Sequence, residues 1–174
     1  MASLSDDDFA IFGLPRSFAL DDKALTASYL SLQNQTHPDR FADGTAAEKR
    51  LAVQWATRIN EAYKRLSNPM DRALYLCELN GEDPRGRQSN LPPALLMQQI
   101  EWRETLDETK TEEGLEELLD EVMAEKKRCL SKIAVQLDTE RDYAAANGTA
   151  HALLFVDKFI TEVKKHLDYL EDAK

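Results

Sequence analysis

Basic residues are in short supply in this chain: 22 Lys and Arg stand against 32 Asp and Glu, a net charge of −10 at pH 7 with a pI near 4.8. A surface this acidic is repelled by phosphodiester backbones, which argues against a nucleic-acid partner. Long apolar runs are also missing. Stretches such as Ala152 to Val156 fall far short of the ~20 residues that a membrane-spanning helix needs, and the opening MASLSDDD is acidic, without the apolar centre of a signal peptide. No membrane partner is expected, and the expected address is cytoplasmic. Cysteine is limited to Cys77 and Cys129, far apart and outside any CxxC or Cys/His cluster. Neither a disulfide framework nor a zinc or cluster site is therefore indicated, and both read as buried thiols.

Catalytic material is equally thin. There is no GxSxG, no HExxH and no glycine-rich dinucleotide fingerprint, and His37, His151 and His166 do not form a ligand set. Gly81 and Gly86 have the spacing of a phosphate-binding loop, but Arg87 and Gln88 stand where Lys and Ser or Thr belong, and no strand precedes them. Neither an enzymatic activity nor a metal or organic cofactor is expected.

What the sequence does carry is helical periodicity almost throughout, with no sustained alternation of the kind a half-buried strand shows. Its 174 residues, 43% of them hydrophobic, suffice for one ordinary domain or two small ones, and the fold class is all-α. A short first helix follows the aspartates at 6 to 8 and ends near Gly13, with Pro15 as a stop. Asp21 or Asp22 caps a second helix, whose Leu25, Tyr29 and Leu32 share a core-facing side. Pro38 disfavours the helical conformation at His37, so this helix ends by about Thr36 and His37-Pro38-Asp39 forms an exposed loop. Thr45 and Glu48 make a capping box that opens a long third helix with Leu51, Trp55, Ile59, Ala62 and Leu66 on one stripe. Asn68-Pro69 breaks it, a short fourth helix carries Met70, Ala73, Leu74 and Cys77, and Asn80-Gly81 stops that one in turn.

Residues 81–91 then read as a linker between a first domain, 1–80, and a second, 92–174. Pro92 and Pro93 open the first of three longer helices, roughly Pro93 to Thr109, Glu112 to Leu137 and Thr139 to Leu170, enough for a minimal bundle. Asn147-Gly148, two poor helix formers, should kink or split the last, with Thr149 capping its resumption. Up to Asn80, 9 Lys and Arg face 11 Asp and Glu (−2); beyond it 13 face 21 (−8), so the two halves suit different partners.

At 100° per residue, Leu95, Gln99, Trp102 and Leu106 of the helix after Pro93 cluster in one sector, which packs into the bundle. Met97, Ile100, Glu101, Glu104 and Glu108 fall on the far side, with Leu96 at its edge. A lone bundle has no use for Met and Ile there, and the rim is acidic. Phe155 stands about a quarter-turn off the stripe of Val156, Phe159, Val163, Leu167 and Leu170. Methionine adapts to irregular partners and aromatic anchors concentrate binding energy, which makes Met97 and Phe155 candidate interface residues.

In the first domain, polar residues held on a loop by a rigid hairpin more often bind than pack. Taken alone, His37-Pro38-Asp39 reads as an ordinary turn in which Asp39 accepts a backbone hydrogen bond. Its surroundings decide otherwise. Tyr29-x-x-Leu32-x-x-x-x-His37-Pro38-Asp39-Arg40-Phe41, followed by Ile59-Asn60-Glu61-Ala62-Tyr63, resembles the motif of J domains. Phe12-Gly13-Leu14-Pro15 before it and Arg72-Ala73-x-Tyr75-Leu76-x-x-Leu79-x-Gly81 behind are similar to the HscB branch of that family. Leu96-Met97, Arg103-Glu104-x-Leu106-Asp107-Glu108 and Phe155-x-Asp157-Lys158 agree with that branch too, so the resemblance covers essentially the whole chain.

The resemblance implies an L-shaped protein, a J domain with a three-helix bundle set across it, that catalyses no reaction itself. It implies a co-chaperone that stimulates ATP hydrolysis by a specialised DnaK-type chaperone, HscA, through His37, Pro38, Asp39 and Arg40. It further implies delivery of the iron–sulfur cluster scaffold IscU, held on Leu96, Met97, Ile100, Glu101, Glu104, Glu108 and Phe155, in the maturation of iron–sulfur proteins. One departure stands out: such hairpins usually carry several Lys or Arg on the second helix, whereas only Lys23 precedes Arg40 here. Lys49, Arg50 and Arg58 are the alternative sources of positive charge. Two other readings compete, a general J-domain co-chaperone for unfolded clients and a small hydrolase using His37 and Asp39. The second lacks an enclosure or a nucleophile at a hairpin tip.

Overall fold

The structure is a computed structural model that describes residues 2–85 and 91–172; it is a succession of helices, with no strand among the described residues. The chain forms two compact units, Met1–Leu76 and Cys77–Lys174. Residues 86–90 of the expected linker, with Gly86, Arg87 and Gln88 of the apparent phosphate loop, lie outside the described residues.

The first unit opens with α1 (Asp8–Ile11), capped by Asp7, whose side chain accepts the N–H groups of Phe9 and Ala10 at 3.0 Å each. Asp8 thus lies inside the helix rather than ahead of it. A single turn cannot hold itself. It is held by what it buries: Phe9, Ile11 and Phe12 leave water, each contributing roughly 1.5–3 kcal/mol. Gly13 then adopts φ +66°, a left-handed conformation that glycine takes without steric cost.

Helices α2 (Asp22–Thr36) and α3 (Ala46–Ser67) form the hairpin. Asp21 caps α2, and the α3 capping box is closed in both directions: Thr45 N–H donates to Glu48 Oε2 at 2.7 Å and Glu48 N–H to Thr45 Oγ1 at 3.2 Å. Thr26 meets Tyr63 while Tyr29 meets Asn60, so the two helices run antiparallel. Within α3, Ile59, Ala62 and Leu66 are buried as expected, but Leu51 is 48% exposed and Ala52 takes its place. The 3.6-residue period explains the exchange, because Ala52 points about 20° from the direction of Ile59 and Leu51 about 80° from it. Asn68 caps α4 (Pro69–Leu79) through the N–H groups of Met70 and Asp71, and the division between the units falls inside this helix.

An ion cluster missed by sequence reasoning ties α1 to α3. Asp8 is fully buried, with Oδ1 2.7 Å from Arg58 Nη1 and Oδ2 3.0 Å from Arg65 Nη1. The Arg58 contact is ionic and poorly aligned for a hydrogen bond, whereas Arg65 makes one. Tyr75 completes the cluster: its hydroxyl accepts Asp8 N–H at 3.0 Å, and Arg65 lies 4.6 Å from its ring centroid.

The second unit contains α5 (Pro93–Glu108), α6 (Glu112–Ala134) and α7 (Tyr143–Asp172). Proline occupies the first position of α5, where its missing N–H costs nothing. Trp102 stacks on Phe159 with centroids 5.6 Å apart and donates its indole N–H to Glu121 Oε1 at 2.8 Å. The core gathers Leu95, Trp102 and Leu106 with buried residues of α6 and α7; Leu167 and Leu170 are only half-buried, where the 30-residue α7 outruns its neighbours.

Two expectations are corrected here. Helix α6 ends at Ala134, not Leu137, because a wide π-helical turn, Val135–Glu140, follows; Arg141 at φ 54° then breaks the path, so α7 starts at Tyr143 rather than Thr139. That last helix runs unbroken through Asn147-Gly148. Asn147 is buried and its side-chain N–H donates to Asp83 O at 3.1 Å, while Ala146, Ala150 and Leu153 pack around it. Packing outweighs the poor propensity of two residues. Thr149 caps nothing; its hydroxyl donates to Ala145 O at 3.1 Å.

Candidate functional site

At the tip of the hairpin, the loop expected at residues 37–39 is a short 3-10 turn, Pro38–Phe41. His37, Pro38, Asp39 and Arg40 are all exposed, and the Asp39 side chain is 91% so. His37 Nδ1 accepts Asp39 N–H at 3.3 Å and lies 3.6 Å from Asp39 Oδ2, so the imidazole orients the turn while the carboxylate faces solvent. Arg40 Nη1 donates to Asn34 O at 3.1 Å, satisfying one of the carbonyls that the end of α2 leaves open.

A hydrogen-bond chain stiffens the hairpin below the tip. Gln33 Nε2 donates to Tyr29 Oη at 3.1 Å, Tyr29 Oη donates to Asn60 Oδ1 at 2.9 Å, and the Tyr29 and Tyr63 rings stack with centroids 4.1 Å apart. Next to the tripeptide, Gln33, Ala56, Ile59 and Asn60 join His37 and Pro38 around a cleft of 170 Å³. The sequence placed Tyr29 and Asn60 in the motif; only the fold shows that they join across the helices.

Of the cations expected near the loop, Arg58 is committed elsewhere. Its guanidinium is bound to Asp8 and to the backbone oxygen of Asp6 at 2.9 Å, and only 22% of the side chain is exposed. A buried acid on α1 captured it, a pairing that helical periodicity cannot reveal. Lys49 and Arg50 are exposed on the first turns of α3.

In the second unit, Leu96, Met97 and Ile100 lie on one side of α5 and are 46%, 65% and 60% exposed, while Leu95, Trp102 and Leu106 are buried behind them. Glu101, Glu104 and Glu108 are exposed along the same helix. Trp102 meets Phe159, and one residue on Arg103 pairs with Glu162 at 3.0 Å, so α5 and α7 run in the same direction. Phe155, four residues before Phe159, therefore stands level with about Gln98 of α5. It is half-buried, with Lys158 Nζ 5.9 Å from its ring centroid. Six of the seven residues singled out from the sequence lie on α5, and the seventh, Phe155, lies on α7.

Among the described residues no group of His, Cys, Asp and Glu is arranged to hold a metal ion, and no helix is long and apolar enough to cross a membrane. Cys77 and Cys129 are buried and far from both regions of interest in the sequence; Cys77 Sγ donates to Tyr143 O.

Residues 91–164 match the family model described as the HSCB C-terminal oligomerisation domain. The co-chaperone protein HscB homolog of Burkholderia multivorans is 44% identical over 176 aligned residues, which cover 98% of this chain and 99% of that protein. Among solved structures, chaperone HscB from Vibrio cholerae superposes with a TM-score of 0.83 at 33% identity, covering 95% of this chain and 99% of the other. Human co-chaperone protein HscB gives 0.84 at 25% identity, covering 94% and 83%.

Proposed function

Because the chain belongs to the HscB family of co-chaperones, we propose that it stimulates the ATPase of a DnaK-type chaperone, HscA, and brings to it the iron–sulfur scaffold IscU. Residues 1–80 act as the J domain and 92–174 as the scaffold-binding domain, in the cytoplasm, without catalysis by the chain itself. The observation that carries this reading is the exposed His37-Pro38-Asp39 turn on a hairpin stiffened from below. A rigid base positions a group at little entropic cost when a partner arrives. The Asp39 carboxylate, 91% exposed with the His37 imidazole 3.6 Å away, is offered to a cation of the chaperone, and Arg40 fixes the turn against α2. Positive charge around the tip is sparse, so docking relies on this geometry more than on long-range attraction.

Scaffold recognition rests on Leu96, Met97, Ile100 and Phe155 as apolar anchors, with Glu101, Glu104 and Glu108 as a rim that selects a basic surface. A compact apolar strip with an ordered acidic edge favours a folded partner over the varied segments of unfolded clients. Purified chaperone, assayed for ATP hydrolysis with this protein and with or without scaffold, tests the reading: the two together should stimulate more than the sum of each alone. Affinity for denatured polypeptides in place of the scaffold would support the general co-chaperone instead.

A further inference from the structure

Helix α6 carries a row of side chains turned away from the bundle core. At ~100° per residue, its buried Leu115, Val122, Cys129 and Ile133 point within about 40° of one another. Glu116, Asp120, Met123, Lys127 and Ser131, all exposed, gather about 135° round the helix from them. Met123, at the middle of this row, is 42% exposed, and half-buried Leu119 and Leu130 border it.

The charges of the row are sorted along it, acid before Met123 and base after. Three or four residues from Asp120 lie Glu116, Glu117, Met123 and Ala124; at the same distances from Lys127 lie Met123, Ala124, Leu130 and Ser131. The helix therefore gives Asp120 two like-charged neighbours, a destabilising arrangement, and gives Lys127 no acid within reach. Nearby cations are committed, Lys126 to Asp157 of α7 at 2.7 Å and Arg128 to Glu125, whereas Asp120 and Lys127 have no ion-pair partner among the described residues. The helix dipole does not account for the sorting, because its influence fades within the first and last turns, and both residues lie about two turns inside the ends of α6.

We infer that two copies of this chain pair through α6, antiparallel, about a two-fold axis between Met123 and Ala124. Asp120 and Lys127 are equally far from that point along the helix and share the row, so each Asp120 faces Lys127 of the second copy and the contact is made twice. Met123 packs on Ala124 of the other helix, whose small side chain admits it, and the Ser131 hydroxyl donates to Glu116. A row that is acidic at one end and basic at the other complements itself when reversed, which selects a second copy over a partner of one charge. The row lies on a different helix from the strip assigned to the scaffold.

Sedimentation equilibrium of the full-length protein tests this pairing. One helix against one helix buries less than the ~1,200 Å² of a standard interface, so loading concentrations should reach about 1 mM. The parent's weight-average mass should rise from 19.8 kDa toward twice that value, more steeply at low ionic strength. Asp120→Lys and Lys127→Glu, each alone, should stay monomeric throughout, since like charges then meet at both contacts. Mixed in equal amounts, the two variants should pair as the parent does: each introduced lysine meets an introduced glutamate, and native Lys127 meets native Asp120. Recovery in the mixture also shows that both variants are folded. A parent that stays monomeric over the whole range overturns the inference, as does self-association of either single variant at the parent's strength. So does a mixture that remains monomeric while the parent pairs, since the antiparallel register requires the exchange.

Discussion

Replacing Asp8 by Asn removes one charge and almost no volume, and the structure allows its cost to be worked out. The carboxylate is fully buried and faces two guanidinium groups, Arg58 with 22% of its side chain exposed and Arg65 with 42%. Breaking a buried ion pair from one side costs about 3–5 kcal/mol, most of it the charge left behind. Arg65 is exposed enough for water to screen it and keeps the Tyr75 ring, so its share is discounted. Arg58 keeps the backbone oxygens of Asp6 and Leu4 but loses the carboxylate that balances its charge. The low end, about 3 kcal/mol, is the expected loss. At about 4–8 °C per kcal/mol for a unit of this size, the first unit's midpoint should fall by at least ~12 °C. Thermal unfolding by circular dichroism measures it, and a cycle with Arg58→Gln isolates the pair. The double variant should be less destabilised than the two single losses added. A midpoint within about 2 °C of the parent, by the same scale, refutes the account of what holds α1.

Other outcomes follow from the same structure. Burial pushes the Cys77 thiol up to about 12, aided by Glu82, and the Cys129 thiol to about 11, aided by Glu125. The neutral thiols are favoured by the fold, so their contribution is whole below the ordinary value of 9.0 and is lost as pH rises from there toward those values. Each thiol should add about 1.4 kcal/mol per pH unit to the alkaline loss of stability. Denaturant midpoints from pH 9 upward should fall less steeply for Cys77→Ala, and an unchanged slope contradicts the burial argument. Substituting Ala for Met97, Ile100 and Phe155 together should weaken scaffold binding at least about tenfold by calorimetry, with the helix content of the parent. Equal affinity in a folded variant places the surface elsewhere. Glu101→Lys with Glu104→Lys should instead slow association, most strongly at low ionic strength, as stopped-flow measurements at two salt concentrations will show.

Local signals and tertiary ones were not equally legible in the sequence. Helix limits set by caps and breakers, Asp21, the Thr45–Glu48 box, Pro38 and Pro93, stand where side-chain chemistry put them, because each acts within one turn. The sector of α5 facing the bundle was also readable, since a 16-residue helix drifts little from its mean period. Leu51 falls outside the stripe because each step of four residues along a helix overshoots a full turn by about 40°, and two such steps separate it from Ile59. Asn147-Gly148 looked like a break because propensity is local, while the hydrogen bond to Asp83 and the packing that override it are not. The Asp8–Arg58–Arg65 cluster joins residues about fifty positions apart, and no periodic pattern marks it. Its consequence reached the candidate site: one of the cations expected around the loop holds the domain together instead. The tripeptide itself was legible only through its motif, as its exposure and the Tyr29–Asn60 bridge are properties of the hairpin.

The central claim is that the turn at the hairpin tip works on the chaperone while the α5 strip brings the scaffold. One experiment reaches it directly: steady-state ATP hydrolysis by the purified DnaK-type chaperone, with scaffold present, comparing the parent with His37→Gln and Asp39→Asn. Both side chains are exposed at the tip, so neither substitution should change the helix content or shift the thermal midpoint appreciably. The account predicts that stimulation disappears in both variants while calorimetric affinity for the scaffold stays at the parent's value. Full stimulation by either folded variant contradicts it.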